Sequence, residues 1–477
     1  MKRYLERAVK FAPVFVVAVA VFSLGYWLLA DPSRDFVPSV PKNDEANASA
    51  SAAENIQIGA FFERFAQEGS DLKDTWTRFR GSNSDNIKRS TKPLLETFAG
   101  KPPKILWSVH LGEGHSGAAI YDGLVYMLDY DEKQKADMLR CFSLVSGKEQ
   151  WRRWYTIQVK RNHGMSRTVP AVTDKFILTM GPRGHVMCVD RLSGDFKWGL
   201  DLTKNYQTEI PLWYTGQCPI IVNDVAVLGV GGKSLLVAVD CNTGKVLWET
   251  PNPDEWKMSH SSVMPYTFKG RSMFVYSAVG GVVGVAADGA DAGTVLWKSA
   301  AWNKSVVAPS PVCMPDGKVF LTAGYGAGSM MLQLNEKGGA FSVDVLQSIK
   351  PGDGLSSEQQ TPILLDGCMI GILPKDAKAL RNQLVCVKAN DPTNIVWSSG
   401  SSSKFGLGPY ILADDKFYIL NDDATLIVAK KSLEGYQELD RVKLFDGQDA
   451  WAPLAIADGY MVLRDSEKMV CIDLNKK

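Results

Sequence analysis

Histidines 115, 163 and 260, three of the five in this 477-residue chain, each stand in a short polar stretch: GHSG, RNHGMSR and SHSS. Imidazoles beside serines, with Arg167 close to the second, are groups that ligate a metal or line a groove for a small molecule or a peptide. Similar stretches hold Ser116, Trp213-Tyr214 with Gln217, Ser261, Ser305, Glu358-Gln359-Gln360, and Asp449 with Trp451. His185 and the charged run Asp129–Asp137 add two further candidates. What is missing narrows the chemistry. There is no Gly-x-Ser-x-Gly around a nucleophile, no C-x-x-C and no haem-attaching C-x-x-C-H. The eight cysteines (141, 188, 218, 241, 313, 368, 386 and 471) are dispersed, with no adjacent pair. No catalytic residue, metal or cofactor is assigned on these grounds. With 53 Lys+Arg against 52 Asp+Glu, nothing calls for a nucleic-acid partner.

These residues need a frame, and the chain announces one by repetition. From residue 104 onward two signatures alternate. One is a strand, a polar turn and a second strand: AIYDGLVYML from Ala119, PIIVNDVAVLGV from Pro219, TPILLDGCMIGI from Thr361 and PLAIADGYMVL from Pro453 are examples. Turn pairs such as Asp122-Gly123, Asp366-Gly367 and Asp458-Gly459 suit a tight hairpin. The other is a third strand, a turn and a fourth strand ending in tryptophan, as in LRCFSLVSGKEQW (Leu139–Trp151), HVMCVDRLSGDFKW (His185–Trp198) and LLVAVDCNTGKVLW (Leu235–Trp248). The turns at 123, 175, 224, 270, 317, 367, 415 and 459 average roughly 48 residues apart, the content of one propeller blade. The last unit, ending at Met469–Asn475, lacks its tryptophan strand, and KILWSVHL (Lys104–Leu111) supplies one at the other end of the chain. The expectation is all-β: an eight-bladed β-propeller of four-stranded antiparallel blades over residues 104–477, closed by pairing of its first and last strands.

The same register assigns the conspicuous residues. Trp151, Trp198, Trp248, Trp297 and Trp397 are expected to pack between neighbouring blades. Cys141, Cys188, Cys386 and Cys471 share one repeat position with Ala238, Gly284 and Val428, that of a small buried filler. The histidine stretches fall in links from one blade's outer strand to the next blade's inner strand. All such links open on one face, so His115, His163 and His260 approach one another around the channel.

Ahead of the repeats, Phe11–Ala30 is an uncharged run of 20 residues, long enough to cross a hydrocarbon core of about 30 Å. Lys2, Arg3, Arg7 and Lys10 precede it, which predicts a cytoplasmic basic tail over 1–10 and a single transmembrane signal anchor over 11–30. The propeller would then lie in the periplasm or outside; the alternative is secretion after signal cleavage. Residues 31–55 read as a flexible spacer and 56–103 as an N-terminal extension, with Ile56–Gln67 a short amphipathic helix.

The strand–[ST]-G-[KD]-x-x-W repeat resembles the pyrroloquinoline-quinone-type (PQQ-like) propeller repeat over residues 104–475. That superfamily includes quinoprotein dehydrogenases and an exported propeller lipoprotein that helps assemble outer-membrane proteins. Trp76-Thr-Arg-Phe79-Arg80-Gly81 resembles the W-x-x-[FW]-R-G motif that precedes the propeller in a family of exported bacterial proteins. Physically, Trp76, Phe79 and Arg80 would anchor the chain under the ring. The resemblance implies a membrane-anchored, non-catalytic scaffold for envelope proteins or peptides. One alternative is a quinone- and calcium-dependent alcohol or sugar dehydrogenase, whose Asp base and vicinal cysteines find no match here. Another is a carbohydrate or small-ligand sensor using Trp213, Tyr214, Trp302 and Trp451 as platforms.

Overall fold

The structure, a computed structural model, describes residues 16–26, 56–89 and 92–476. The chain divides into two compact units, Met1–Asn55 and Ile56–Lys477. In the first, residues 16–26 are helical, and among the described residues no helix is long and apolar enough to cross a membrane. The rest of the expected 11–30 span, the basic tail and the spacer 31–55 lie outside the described residues.

In the second unit eight sheets, each with four strands from the repeat, follow one another along the chain. Their innermost strands are Ala119–Tyr121, Ala171–Val172, Ile220–Val222, Met264–Phe268, Val312–Cys313, Ile363–Leu365, Tyr410–Ala413 and Ala455–Ala457, numbered here as blades one to eight. Each pairs antiparallel with the next strand of its blade through the turn read from sequence. At Asp122-Gly123 and Asp458-Gly459 both turn residues sit at positive φ, the geometry that matches strand twist in a two-residue hairpin. The ring closes as expected: Ile105–His110 pairs antiparallel with Lys468–Asp473, placing Trp107 opposite Cys471 in blade eight.

The core is layered between neighbouring blades rather than gathered at one centre. One cluster joins Leu178 and Cys188 of blade two to Leu228 and Val239 of blade three, and another joins Tyr126 and Trp151 of blade one to Ile177 and Met187 of blade two. The repeated tryptophans weld these layers, as expected. Trp107 donates from Nε1 to the Leu144 carbonyl of blade one at 2.7 Å, and Trp198 to the Cys241 carbonyl of blade three at 2.9 Å. A Cβ on Gly147 would lie 2.5 Å from Trp107, so the turn beneath that ring admits only glycine there. The filler position also holds: Cys141, Cys188, Ala238, Gly284, Cys386 and Cys471 each stand opposite a tryptophan in register. All eight cysteines are free thiols.

Two expectations are corrected. Ile56–Gln67 is not a helix: Phe61–Arg64 is a fifth strand on the outer edge of blade one, antiparallel to Glu149–Thr156. Local helical periodicity loses to an open row of backbone donors and acceptors, reinforced by Phe61 stacked on Trp154 at 5.6 Å and the Arg153 guanidinium 4.6 Å from the Phe62 ring. Nor is Asp129–Asp137 a charged loop. The strands Leu124–Asp131 and Ala136–Ser143 run through both ends of it. Asp129 and Asp137 are buried.

The W-x-x-F-R-G segment crosses the ring at the end where the first-to-second strand turns lie. Trp76 exchanges backbone hydrogen bonds with Ile120 of blade one, both 2.8 Å, and the Thr77 carbonyl accepts from Val172 N of blade two at 2.8 Å. Arg78 reaches the Ile221 carbonyl of blade three, and Arg80 the Pro362 carbonyl of blade six. Ile87–Lys88 then pairs parallel with Leu412–Ala413 of blade seven. Gly81 sits at φ 81°, where a Cβ would fall 3.0 Å from the Trp76 ring, so glycine lets the turn pass close beside it. Buried Arg80 has its pKa pushed down to about 10 by desolvation. One short segment thus ties five blades together and stoppers the channel.

Candidate functional site

The links on the opposite face surround an open cup with a cavity volume of about 130 Å³. Its wall takes His115, Arg167, Trp213, His260, Glu358-Gln359 and Trp451 from successive links, and Phe79 of the stopper reaches it from below. The central channel is therefore a blind cup and not a through-pore. Of the residues singled out from sequence, His115, Arg167, Trp213, His260, Glu358, Gln359, Gln360 and Trp451, with Phe79 of the N-terminal motif, come together here.

The others do not. Ser116 and Ser261 are fully buried behind the wall. Gln217 is a packing residue: its Oε1 accepts from Gly229 N at 2.8 Å and its Nε2 donates to the Tyr276 hydroxyl at 3.2 Å. The exposed His163 sits outside at φ 52° and contributes its carbonyl. Tyr214 turns away to donate to the Lys160 carbonyl. Trp302 is buried in the layer between blades four and five, so it is no platform. Trp76 and Gly81 belong to the stopper, as does Arg80.

Two aromatic stacks define the cup. His115 lies face to face on Trp451, with centroids 3.6 Å apart and planes 13° apart. Trp213 lies between His260 at 6.4 Å and Tyr325 at 5.7 Å. Trp213, Tyr214 and Tyr325 all have positive φ (66°, 71° and 55°), strained positions for bulky residues and characteristic of ligand clamps. Sequence reasoning missed Tyr325. Its signal was the GYGAG stretch, a second-to-third strand turn opening on this same face.

The charges are few and fixed. Arg167 donates from Nε to the Trp213 carbonyl at 2.5 Å, and from Nη2 to the carbonyls of His163 at 2.6 Å and Asn162 at 3.1 Å. Three carbonyls hold its plane without neutralising it, and burial lowers its pKa to about 10. Burial, aided by the field of Arg167, drives His115 down to about 3 and His260 down to about 4, so both imidazoles are neutral at pH 7. Glu358 is raised by its own burial.

Behind the wall, between blades one and two, the Asp137 carboxyl accepts from the Tyr155 hydroxyl at 2.6 Å, and burial pushes it up to about 6. His185 stands edge-on to Tyr155 at 5.4 Å, with Nε2 3.6 Å from Asp201. None of these four lines the cup.

A quinone-plus-calcium centre does not fit this donor set. Calcium takes six to eight oxygen ligands, usually several of them carboxylate, whereas Glu358 is the one carboxylate among the described residues lining the cup. Among the described residues no group of three or more His, Cys, Asp or Glu is placed to hold a metal. Cys218 has no cysteine neighbour in sequence to form a vicinal disulfide. No step is derived through either group.

Residues 89–253 and 232–342, together just over half of the chain, match the family described as outer membrane protein assembly factor BamB. No curated protein matches the sequence. Among solved structures, BamB from Moraxella catarrhalis is 11% identical with a TM-score of 0.51, covering 78% of this chain and 99% of its own. A europium-containing methanol dehydrogenase is 10% identical with a TM-score of 0.59, covering 84% of this chain and 98% of its own. At such identities these likenesses establish the fold alone.

Proposed function

Since the chain belongs to the PQQ-like propeller family described by the outer membrane protein assembly factor BamB, we propose that it is a non-catalytic binding propeller of the cell envelope, taking a protein or peptide segment into its cup. The observation that carries this reading is the cup itself. It is blind, walled by stacked aromatic rings and edged by the exposed side chain of Tyr325, with exposed Leu212 next in sequence to Trp213 of the wall. Aromatic walls with a few fixed polar groups suit a flexible chain that brings apolar side chains and hydrogen-bonding backbone. With its imidazoles neutral and one carboxylate among the described residues lining it, the cup presents mainly aromatic and hydrogen-bonding surface.

In this reading the apolar run Phe11–Ala30 is a signal anchor in the inner membrane, with the propeller on the periplasmic side; cleavage there would release a secreted form. Amino-terminal sequencing of the mature protein separates the two.

The binding role is tested by placing a photocrosslinking amino acid at exposed Leu212, beside Trp213 of the wall, and, in parallel, at Leu247 on the outer strand of blade three, in the full-length chain in cells. Discrete adducts with envelope polypeptides from position 212, absent from 247, are expected. Equal adducts from both positions, or none, would sink the proposal, as would turnover of alcohols or sugars by the purified chain supplied with quinone and calcium.

A further inference from the structure

The eight links follow at equal steps around the ring, so the second, bearing Arg167, and the sixth, bearing Glu358, stand on opposite sides of the cup. Between them Tyr325 feels both: its pKa is raised first by burial, then further by Glu358, while Arg167 lowers it. Among the described residues neither charge is in an ion pair; Glu113 acts on Arg167, and Lys375 on Glu358, only through space. Arg167 spends Nε and Nη2 on backbone carbonyls, and among the described residues Nη1 has no partner and no carboxylate pairs with the guanidinium. Glu358 is buried, and among the described residues its carboxylate accepts no hydrogen bond and forms no ion pair. Gly324 makes room for it, since a Cβ there would fall 2.4 Å from the Glu358 Cγ.

A half-buried cation and a largely buried anion that do not meet each keep unused hydrogen-bonding capacity toward the cup. Among the described residues lining the cup, the other ionisable imidazoles, His115 and His260, are neutral. What remains is a cation on one side, an anion on the other, and aromatic plates between.

We infer that the cup binds a ligand with a carboxylate at one end and a cationic group at the other of an apolar body, the carboxylate on Arg167 and the cation on Glu358. Two sources share this chemistry: a short free peptide, through its two termini, and the carboxy-terminal residues of a protein with a basic side chain close by. Charge-assisted hydrogen bonds at each end supply the discrimination. The inference rests on the reading of the cup as a peptide-binding site and specifies what part of a peptide it reads.

The test is calorimetry on the full chain in detergent with the tripeptide alanyl-phenylalanyl-alanine bearing free ends, its amino-acetylated form and its carboxyl-amidated form. Each blocked form should bind roughly tenfold more weakly or worse. Arg167→Gln should erase the preference for acid over amide, and Glu358→Gln the preference for amine over acetyl. A fourth probe, acetyl-lysyl-phenylalanyl-alanine with a free carboxylate, distinguishes the sources. Affinity equal to the free-ended peptide points to protein chain ends, and a drop to the level of the other acetylated form points to free peptides. Equal affinity for free, acetylated and amidated probes overturns the inference, and so does no binding at millimolar concentration. These comparisons use the unaltered protein, so they stand even if a variant misfolds. If the probes fail while Leu212 still crosslinks, only this inference falls; if the crosslinks fail too, the wider reading falls with it.

Discussion

Acidification should destabilise the propeller through two imidazoles in the cup wall, and the size of the effect follows from their burial. His115, with 5% of its surface exposed, is held at about 3 in the folded chain against an ordinary 6.5. His260 is held at about 4. A group whose folded pKa is depressed binds fewer protons when folded, so its contribution is complete above pH 6.5 and is lost as the pH falls toward the folded value. pH 4.5 lies about two units below the unfolded pKa of each imidazole, a loss of about 2–3 kcal/mol apiece and about 5 kcal/mol for the pair. Asp137 acts oppositely. Its folded pKa is raised to about 6, so its carboxylate weakens the fold at pH 7, and protonation returns about 2 kcal/mol by pH 4.5. Carboxylates held low, such as Asp201, matter only below about pH 4. The net expectation is a loss of about 3 kcal/mol between pH 7 and pH 4.5. In the double variant His115→Phe, His260→Phe, which keeps rings against Trp451 and Trp213, the sign should reverse, leaving the gain of about 2 kcal/mol from Asp137. Urea unfolding at the two pH values measures both quantities. The imidazole carbon-bound proton resonances of the wild type, followed from pH 8 to 4, report the two histidines directly. A wild type equally stable at both pH values, a double variant that still loses stability, or titration of His115 or His260 near 6.5 would refute the reasoning.

Other consequences follow from the packing. Trp151→Ala removes a ring with 1% exposure from the layer between blades one and two and should cost about 3–5 kcal/mol in urea unfolding; the same change at half-buried Trp248 should cost distinctly less. Gly147→Val meets both a φ of 71° and a ring 2.5 Å away, so it should destabilise by more than the 1–2 kcal/mol of left-handed strain alone, and a thermal midpoint equal to wild type would contradict the tryptophan weld. Deleting residues 56–67 bares the outer edge of blade one, whose pairing with Phe61–Arg64 is described above; light scattering should then show concentration-dependent association that the intact chain lacks.

The repeat by itself determined the architecture. A turn pair every 48 residues, a tryptophan at a fixed offset and one unit short of a strand leave little freedom, because hairpin geometry and closure of sheet edges are local and periodic demands. It also determined which links face the channel, and so gathered His115, Arg167, Trp213, His260, Gln359 and Trp451 in advance. Tertiary structure alone decided the rest. Side-chain direction within a link separates Trp213, which enters the cup, from Tyr214, which leaves it, though the two are adjacent and share positive φ. The packing of unlike blades turned Gln217 into a spacer and buried Trp302. Phe79 became a wall residue because its segment crosses five blades, through backbone pairings remote in sequence such as Thr77 with Val172 and Asn86 with Leu412. The facing of Arg167 and Glu358 exists only once eight blades close. Periodicity fixes what each blade repeats, while function here resides in what the blades do not repeat, and such contacts are set by the closed ring as a whole.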